Sequence, residues 1–382
     1  MPATYGFLST YPPTQCGLAT FNAALGTQLN TSGRSGVVRL LSRDSAGGGI
    51  EPDRDAPRSV HTWHIDAPGG WPAAANALNR FDVAILQHEY GIYPGDAGNE
   101  VLPLLRALRV PSIVVLHTVL SSPDPLQRQV LERIAATADA VVTMTDTARQ
   151  RLLGGYAVDP RKISVIPHGA GSRGTGPREN HDRPNLLTWG LLGPGKGIEW
   201  ALHALALLDD VRPGPVYTVA GRTHPKVLEH FGDAYRDSLK ALAASLGVTD
   251  AVVWNDAYLE EDDLSRLIRS ADAVVLPYDS TEQVTSGVLI EAVGAGIPVV
   301  ATEFPHAVEL LADGPGLLVP HQDPEAMALA IRHVLAEPGL TGRLTGLTGS
   351  PTLRWPAVAA RYQALATRLV SNRSPLAASV PA

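Results

Sequence analysis

The chain has 382 residues, 45% of them hydrophobic and 18% charged, which is enough for two domains with separate cores. A net charge of −7, with no run of five basic residues, excludes the electrostatic footprint of nucleic acid or of an anionic membrane surface, and no apolar run of about 18 residues offers a transmembrane helix. The single cysteine, Cys16, excludes an intramolecular disulfide and a Cys-rich metal site, and is read as a small buried hydrophobe or a bystander.

The N-terminal sequence MPATYGFLSTYPP has no basic region followed by an apolar core, so a cytoplasmic location is expected. Short apolar runs rich in β-branched residues then alternate with longer helical patterns, the signature of parallel sheets with crossover helices. The first series of predicted strands lies at 4–9, 37–42, 82–87, 112–117, 140–144 and 163–167. After the first comes YPPTQCGLATF (11–21), where Pro12 and Pro13 stiffen a loop and Gly17 lets a backbone approach a ligand before a helix begins. A plain strand-to-helix turn is the competing reading of Gly17. The loop is not GxGxxG, and no acidic residue stands about 20 positions on, which argues against hydride transfer. Asp53-Arg54-Asp55 sits in a Gly/Pro loop and not after a strong strand, so no metal is expected.

The third strand ends in QHEYGIY (87–93) and the fourth in HTVLSSPDP (117–125). A His at a strand's carboxyl end can hold substrate hydroxyls or polarise a leaving group, and His117 is read that way. His88 stays open between that role and packing, and Glu89 beside it is a weak candidate base. His168, in IPHGA, is read as a turn residue. Residues 169–184, GAGSRGTGPRENHDRP, break the pattern as a linker or hinge.

A second series of strands follows at 186–192, 216–221, 251–255, 273–278, 298–302 and 316–320, and an amphipathic segment at 355–370 closes the pattern. Two doubly wound domains hold ligands at the carboxyl ends of their strands, in the cleft between them. In TWGLLGPGKGIE (188–199), Gly193, Gly195 and Gly197 form a flexible loop before a helix, and Lys196 can place an ammonium on a diphosphate. Arg222 ends the next strand, where its guanidinium could grip phosphate oxygens. Tyr258 could frame a nucleobase. The segment 276–302, LPYDSTEQVTSGVLIEAVGAGIPVVAT, joins a buried strand, a small-residue turn through Thr285, a helix N-terminus at Ser286 and Gly287, and a second strand. Free amides and the positive end of the helix dipole make an anion site there. Glu291, a turn further on, is placed to accept hydrogen bonds from a sugar hydroxyl.

These tandem α/β domains, with the Gly17 loop, His117, GPGKG and QVTSGVLIEAVGAGIPVVAT, resemble the retaining, nucleotide-sugar-dependent glycosyltransferases of family 4, whose fold is GT-B. The resemblance covers nearly the whole chain, including the closing helix, which in such enzymes crosses back to the first domain. It implies an acceptor-side Rossmann-like domain at 1–170 with helix 355–372 packed on it, a hinge at 171–184 and a nucleotide-sugar domain at 185–354. Family members carry two glutamates seven residues apart, the first on the donor sugar and the second on the ribose. Glu291 matches the second, but Gln283 replaces the first, with Glu282 beside it. An amide cannot act as nucleophile or base, yet it can hydrogen-bond sugar hydroxyls. Many relatives also have an Arg five residues before the Lys, where this chain has Leu191, so Arg222 is expected to supply some of the missing charge.

What the resemblance implies is a metal-independent hexosyltransferase without a cofactor, using GDP-mannose or UDP-glucose as co-substrate and a soluble hydroxyl acceptor, with retention. His117, Lys196 and Gln283 are its catalytic candidates. Gly17, Gly195, Arg222, Thr285, Ser286, Gly287 and Glu291 are expected on the donor, and Gln15, His88, Glu89 and Tyr90 on the acceptor side. A sugar-nucleotide epimerase or a pseudo-glycosyltransferase would use the same fold, and a non-catalytic carbohydrate-binding protein is the alternative from another class.

Overall fold

The apolar runs form two separate parallel sheets in the computed structural model, which describes residues 2–42, 53–66, 68–171, 181–312, 314, 316–336 and 351–373. The chain divides into one unit of Met1–Gly169 with Trp355–Ala382 and a second of Ala170–Arg354. The division falls one residue before the expected boundary at 170. Ala170 bridges to Arg354, and its amide donates to the Leu353 carbonyl at 2.7 Å, so it belongs with the second unit. Of the expected hinge, residues 172–180 lie outside the described residues. Arg183 is tied to the Gly214 and Pro215 carbonyls of the second unit.

The first unit runs β1 (Tyr5–Ser9), α1 (Gly17–Leu29), β2 (Gly36–Leu41), β3 (Arg58–His64), α2 (Trp71–Leu78), β4 (Val83–His88), α3 (Val101–Ala107), β5 (Ser112–Leu116), α4 (Pro125–Thr137), β6 (Ala140–Thr143), α5 (Asp146–Gly155) and β7 (Ile163–Val165). Its sheet order is β3-β2-β1-β4-β5-β6-β7, all parallel. The central strands β1, β4, β5 and β6 are buried along their whole length, which is why they read as unbroken apolar runs. β3 is the exception: as an edge strand of sequence RSVHTWH it buries only Trp63, so no apolar run announces it. Carboxylates just ahead of two strands help set the register. Asp82 accepts from the Thr4 amide at 2.8 Å and Asp139 from the Ser112 amide at 2.8 Å.

The helix of Trp355–Arg373 completes this unit; it is α13 below, after the helices of the second unit. Trp355, Val358, Tyr362 and Leu365 share a core with Phe7, Phe21 and Leu25. Arg373 pairs with Asp139 at 2.8 Å and donates to the Arg109 carbonyl at 2.9 Å. The Trp355 ring lies against Gly169, where a Cβ would come within 2.2 Å of the indole.

The second unit runs β8 (Asn185–Trp189), α6 (Ile198–Ala206), β9 (Val216–Ala220), α7 (Pro225–Phe231), α8 (Ala234–Ser245), β10 (Val252–Asn255), α9 (Glu261–Arg269), β11 (Ala273–Leu276), α10 (Gly287–Gly294), β12 (Val299–Thr302), α11 (Pro305–Leu311), β13 (Gly316–Val319) and α12 (Pro324–Ala336). Its order, β10-β9-β8-β11-β12-β13, is the doubly wound one, with cores on both faces. Asp272, ahead of β11, accepts from the Asn185 amide at 2.7 Å, repeating the device of the first unit. β8 and β11 stop earlier than the apolar runs suggest, at Trp189 and Leu276. The residues beyond them turn to build the site.

Candidate functional site

In the second unit the turns after β8 and β9 are fastened to each other. The Leu192 amide donates to the Arg222 carbonyl at 2.8 Å and the His224 amide to the Leu192 carbonyl at 2.7 Å. Gly190 and Gly221 both have positive φ, and a Cβ on Gly221 would fall 1.9 Å from the Gly190 oxygen. Arg222 is thereby held beside the glycine loop, with its side chain exposed. Behind it, buried Arg236 pairs with Asp256 and donates to the Gly221 carbonyl at 2.6 Å.

The loop itself turns through a bond from the Lys196 amide to the Gly193 carbonyl. Gly197 has φ 64°, and a Cβ there would meet the Pro277 oxygen at 1.7 Å, so only glycine fits. The Asp279 amide donates to the Gly195 carbonyl at 3.0 Å, and the Trp200 indole donates to the Asp279 carboxylate at 3.1 Å. These bonds join the loop after β8 to the turn after β11. The Lys196 ammonium lies 4.3 Å over the ring of buried Tyr278. No carboxylate among the described residues pairs with it, so a cation–π contact holds the side chain while the ammonium keeps its capacity for an anion.

α10 starts where the sequence places it. Ser286 is the N-cap, its hydroxyl accepting from the Leu289 amide at 3.2 Å. The Ser286 amide donates to Nδ1 of His306 at 2.7 Å, which leaves the Gly287 and Val288 amides as the first-turn donors with no acceptor among the described residues. The Thr285 hydroxyl is buried with no partner among the described residues. Gln283 is half-buried, its amide nitrogen donating to the Thr285 carbonyl at 3.2 Å. Glu291 is half-buried on the same helix. Lys196, Ser286 and His306 thus stand at the carboxyl ends of the adjacent strands β8, β11 and β12. Tyr258, the candidate nucleobase frame, is half-buried in the turn before α9.

The carboxyl edge of the first unit is of another kind. His117 donates from Nε2 to the Gln87 amide oxygen at 2.9 Å, and the Gln87 nitrogen donates to Asn22 at 3.3 Å. The His117 ring meets Phe21 edge-on at 4.9 Å; Phe21 also carries His168 at 5.0 Å and Trp355 at 5.2 Å. His168 is therefore more than the expected turn residue, being an aromatic neighbour of His117 whose Nδ1 donates to the Gly169 carbonyl at 2.8 Å. Burial lowers the His117 pKa to about 3, with His168 and His88 adding to the shift, and burial lowers His88 and His168 to about 4. All three rings are neutral at pH 7.

His88, expected on the acceptor side, is instead enclosed at 1% exposure, between Tyr90 edge-on at 5.2 Å and Tyr93 stacked at 6.4 Å. As the last residue of a central strand it faces protein, and a solute does not reach it. Glu89 bridges two loops, its carboxylate accepting from the Thr118 hydroxyl at 2.5 Å and the Tyr90 amide at 3.0 Å. Tyr90 and Gln15 are half-buried. Cys16 has a structural task, capping α1 by accepting from the Ala19 amide at 3.4 Å, with the Thr10 hydroxyl 3.1 Å away. Gly17 is exposed, and a Cβ there would meet nothing within 4 Å, so no contact among the described residues calls for a glycine. Asp53-Arg54-Asp55 forms an exposed turn in which Asp53 accepts the Asp55 amide.

Sequence reasoning missed Arg236 and His306. For His306 a signal existed: like His117, it stands just past the carboxyl end of a strand, in TEFPHAVEL. Arg236 lies in the first turn of α8 and left none.

Comparison with known proteins agrees with this architecture. Residues 33–170 match the family described as Glycosyltransferase Family 4, and residues 183–337 match Glycosyl transferases group 1. The D-inositol 3-phosphate glycosyltransferase of Streptomyces bingchenggensis (strain BCW-1) is 29% identical over 263 residues, 62% of this chain and 56% of that protein. The chain spans about half the length of the curated relatives it matches. Among solved structures, a glycosyltransferase from Rickettsia africae ESF-5 superposes with a TM-score of 0.75 at 17% identity, covering 97% of this chain and 99% of that one. Anabaena Alr3699/HepE in complex with UDP and glucose gives 0.71 at 14%, covering 96% and 100%.

Proposed function

This chain belongs to glycosyltransferase family 4 and has the GT-B fold, and we propose that it moves a hexose, mannose or glucose, from a nucleoside-diphosphate sugar to a hydroxyl with retention of configuration. The observation that carries the reading is the Lys196 ammonium, held by an aromatic face and not by a carboxylate, beside a helix whose first amides are unspent. Together they supply what a departing diphosphate needs, positive charge and N–H donors fixed before the reaction begins. The bond from C1 of the sugar to the diphosphate oxygen breaks, and the acceptor oxygen bonds C1 on the same face. The hydroxyl proton passes to the leaving diphosphate. Gln283 does not enter as a base or nucleophile; its amide and the His117 ring orient sugar hydroxyls, and Glu291 holds the ribose. Arg222 adds charge to the diphosphate, and Gly17 leaves room for a ligand against the start of α1.

The reaction is proposed to need neither metal nor cofactor and to take place in the cytoplasm. No helix of the described residues is long and apolar enough to cross a membrane. Because the curated relatives are D-inositol 3-phosphate glycosyltransferases, a small polyol or its phosphate heads the acceptor candidates.

The test is nucleotide release and product mass with GDP-mannose, UDP-glucose, UDP-N-acetylglucosamine and ADP-glucose, with and without pooled polyol and sugar acceptors, in the presence of EDTA. Release from one donor, raised by one acceptor pool and insensitive to EDTA, is the expected result. If no donor releases nucleotide and no nucleotide raises the melting temperature, the site is not a diphosphate site.

A further inference from the structure

His306 lies one residue into α11, is buried at 3% exposure, and has no role in the reaction described above. It holds both ends of the Gln283–Ser286 segment. Its own amide donates to the Gln283 carbonyl at 3.3 Å, and its Nδ1 accepts from the Ser286 amide at 2.7 Å. A backbone amide can only donate, so Nδ1 must be unprotonated and the proton of the neutral ring must sit on Nε2. The support under His306 is continuous with the Lys196 site. Buried Phe304, the N-cap of α11, packs on the Tyr278 ring at 5.1 Å, the ring that carries the Lys196 ammonium. The Thr302 hydroxyl, at the end of β12, donates to the Tyr278 carbonyl at 2.6 Å.

We propose that His306 is a positioning residue for the diphosphate site, its Nδ1 fixing the Ser286 peptide so that the next two amides, of Gly287 and Val288, aim at the donor. The proposal rests on the nucleotide-sugar reading above. By taking up the Ser286 amide, His306 selects which donors of the helix start remain for a ligand, and by holding the Gln283 carbonyl it fixes the backbone of the residue assigned to the sugar. An apolar side chain in its place leaves a buried amide unpaired and the segment free to turn.

Two measurements on the full chain test it. In wild-type protein labelled with 15N-histidine, with the His306 signals identified by their loss in His306→Asn, long-range nitrogen–proton spectra at pH 7.5 should show the Nε2–H tautomer. The Nδ1–H tautomer, or an averaged ring, overturns the proposal whatever the protein's activity. In the second measurement, calorimetric titration with UDP and with GDP compares wild type with three variants. His306→Leu should weaken binding of the nucleotide that wild type accepts by about tenfold. His306→Asn, whose amide oxygen stands near the Nδ1 position, should stay within about threefold, whereas His306→Gln, which places its oxygen near Nε2, should behave like Leu. Equal affinity in wild type and His306→Leu, or a loss in Asn as large as in Leu, overturns the proposal. If wild type binds neither nucleotide, the nucleotide-sugar reading fails, and the tautomer alone decides whether the clamp on Ser286 exists.

Discussion

The two sheets share the order 3-2-1-4-5-6 in each unit's own count, to which the first adds a seventh strand, yet they finish their carboxyl edges differently. In the first unit that edge is lined by rings: His88, His117 and His168 pack with Phe21, Tyr93 and Trp355, and desolvation keeps the imidazoles neutral. In the second it is made of glycine turns, the Lys196 ammonium and the first amides of α10. The topology supplies only the place. The strand-end loops decide what is presented there.

The contrast breaks most readily at Lys196. Lys196→Ala is expected to lower kcat/KM by about a hundredfold, with the melting temperature little changed, because the proposed reaction sets the ammonium on the leaving group and no carboxylate among the described residues pairs with it. Steady-state kinetics beside a thermal melt would check both halves. An equal drop in stability would make Lys196 a structural residue of the loop.

The neutrality of the first unit's edge is tested by acid. The folded pKa of His88 lies near 4, below its ordinary 6.5, so the unfolded chain takes up that proton first as pH falls. Stability from this group is therefore complete above pH 6.5 and is lost as pH drops from there toward 4. His88→Leu removes the titrating ring, and the fall in melting temperature between pH 7 and pH 4.5 should shrink. An unchanged fall would mean that His88 is not held neutral by its surroundings.

Arg222 gives the smallest effect. Its side chain is exposed, so Arg222→Ala should weaken nucleoside-diphosphate binding only about threefold, as expected for a screened charge at the rim. Unchanged affinity in titration calorimetry would remove Arg222 from the donor site and leave Lys196 to carry the charge.

The sequence displayed this second unit more openly than the first. All six strands of its sheet appear as apolar runs, and the GPGKG loop shows its chemistry in its letters, since glycines that permit close approach stand next to the charge they place. β3 was invisible because an edge strand that buries one Trp has no apolar run to show. His168 reads as a turn residue until α13, almost 190 residues later, brings Trp355 onto the same Phe21. Arg236 and His306 escaped for a related reason. Each acts on a peptide group, Gly221 in one case and Ser286 in the other, and a backbone partner leaves no mark on the side-chain pattern.

The membership of α13 in the first unit governs the order in which the protein matures. The chain leaves that unit at Gly169 and re-enters it at Trp355, so on the ribosome the whole second unit emerges before the first has its last wall. Until Tyr362 and Leu365 arrive, the face of α1 carrying Phe21 and Leu25 stays wet, and the nascent first unit is held as an unfinished core while its successor folds. The part made first is thus completed last.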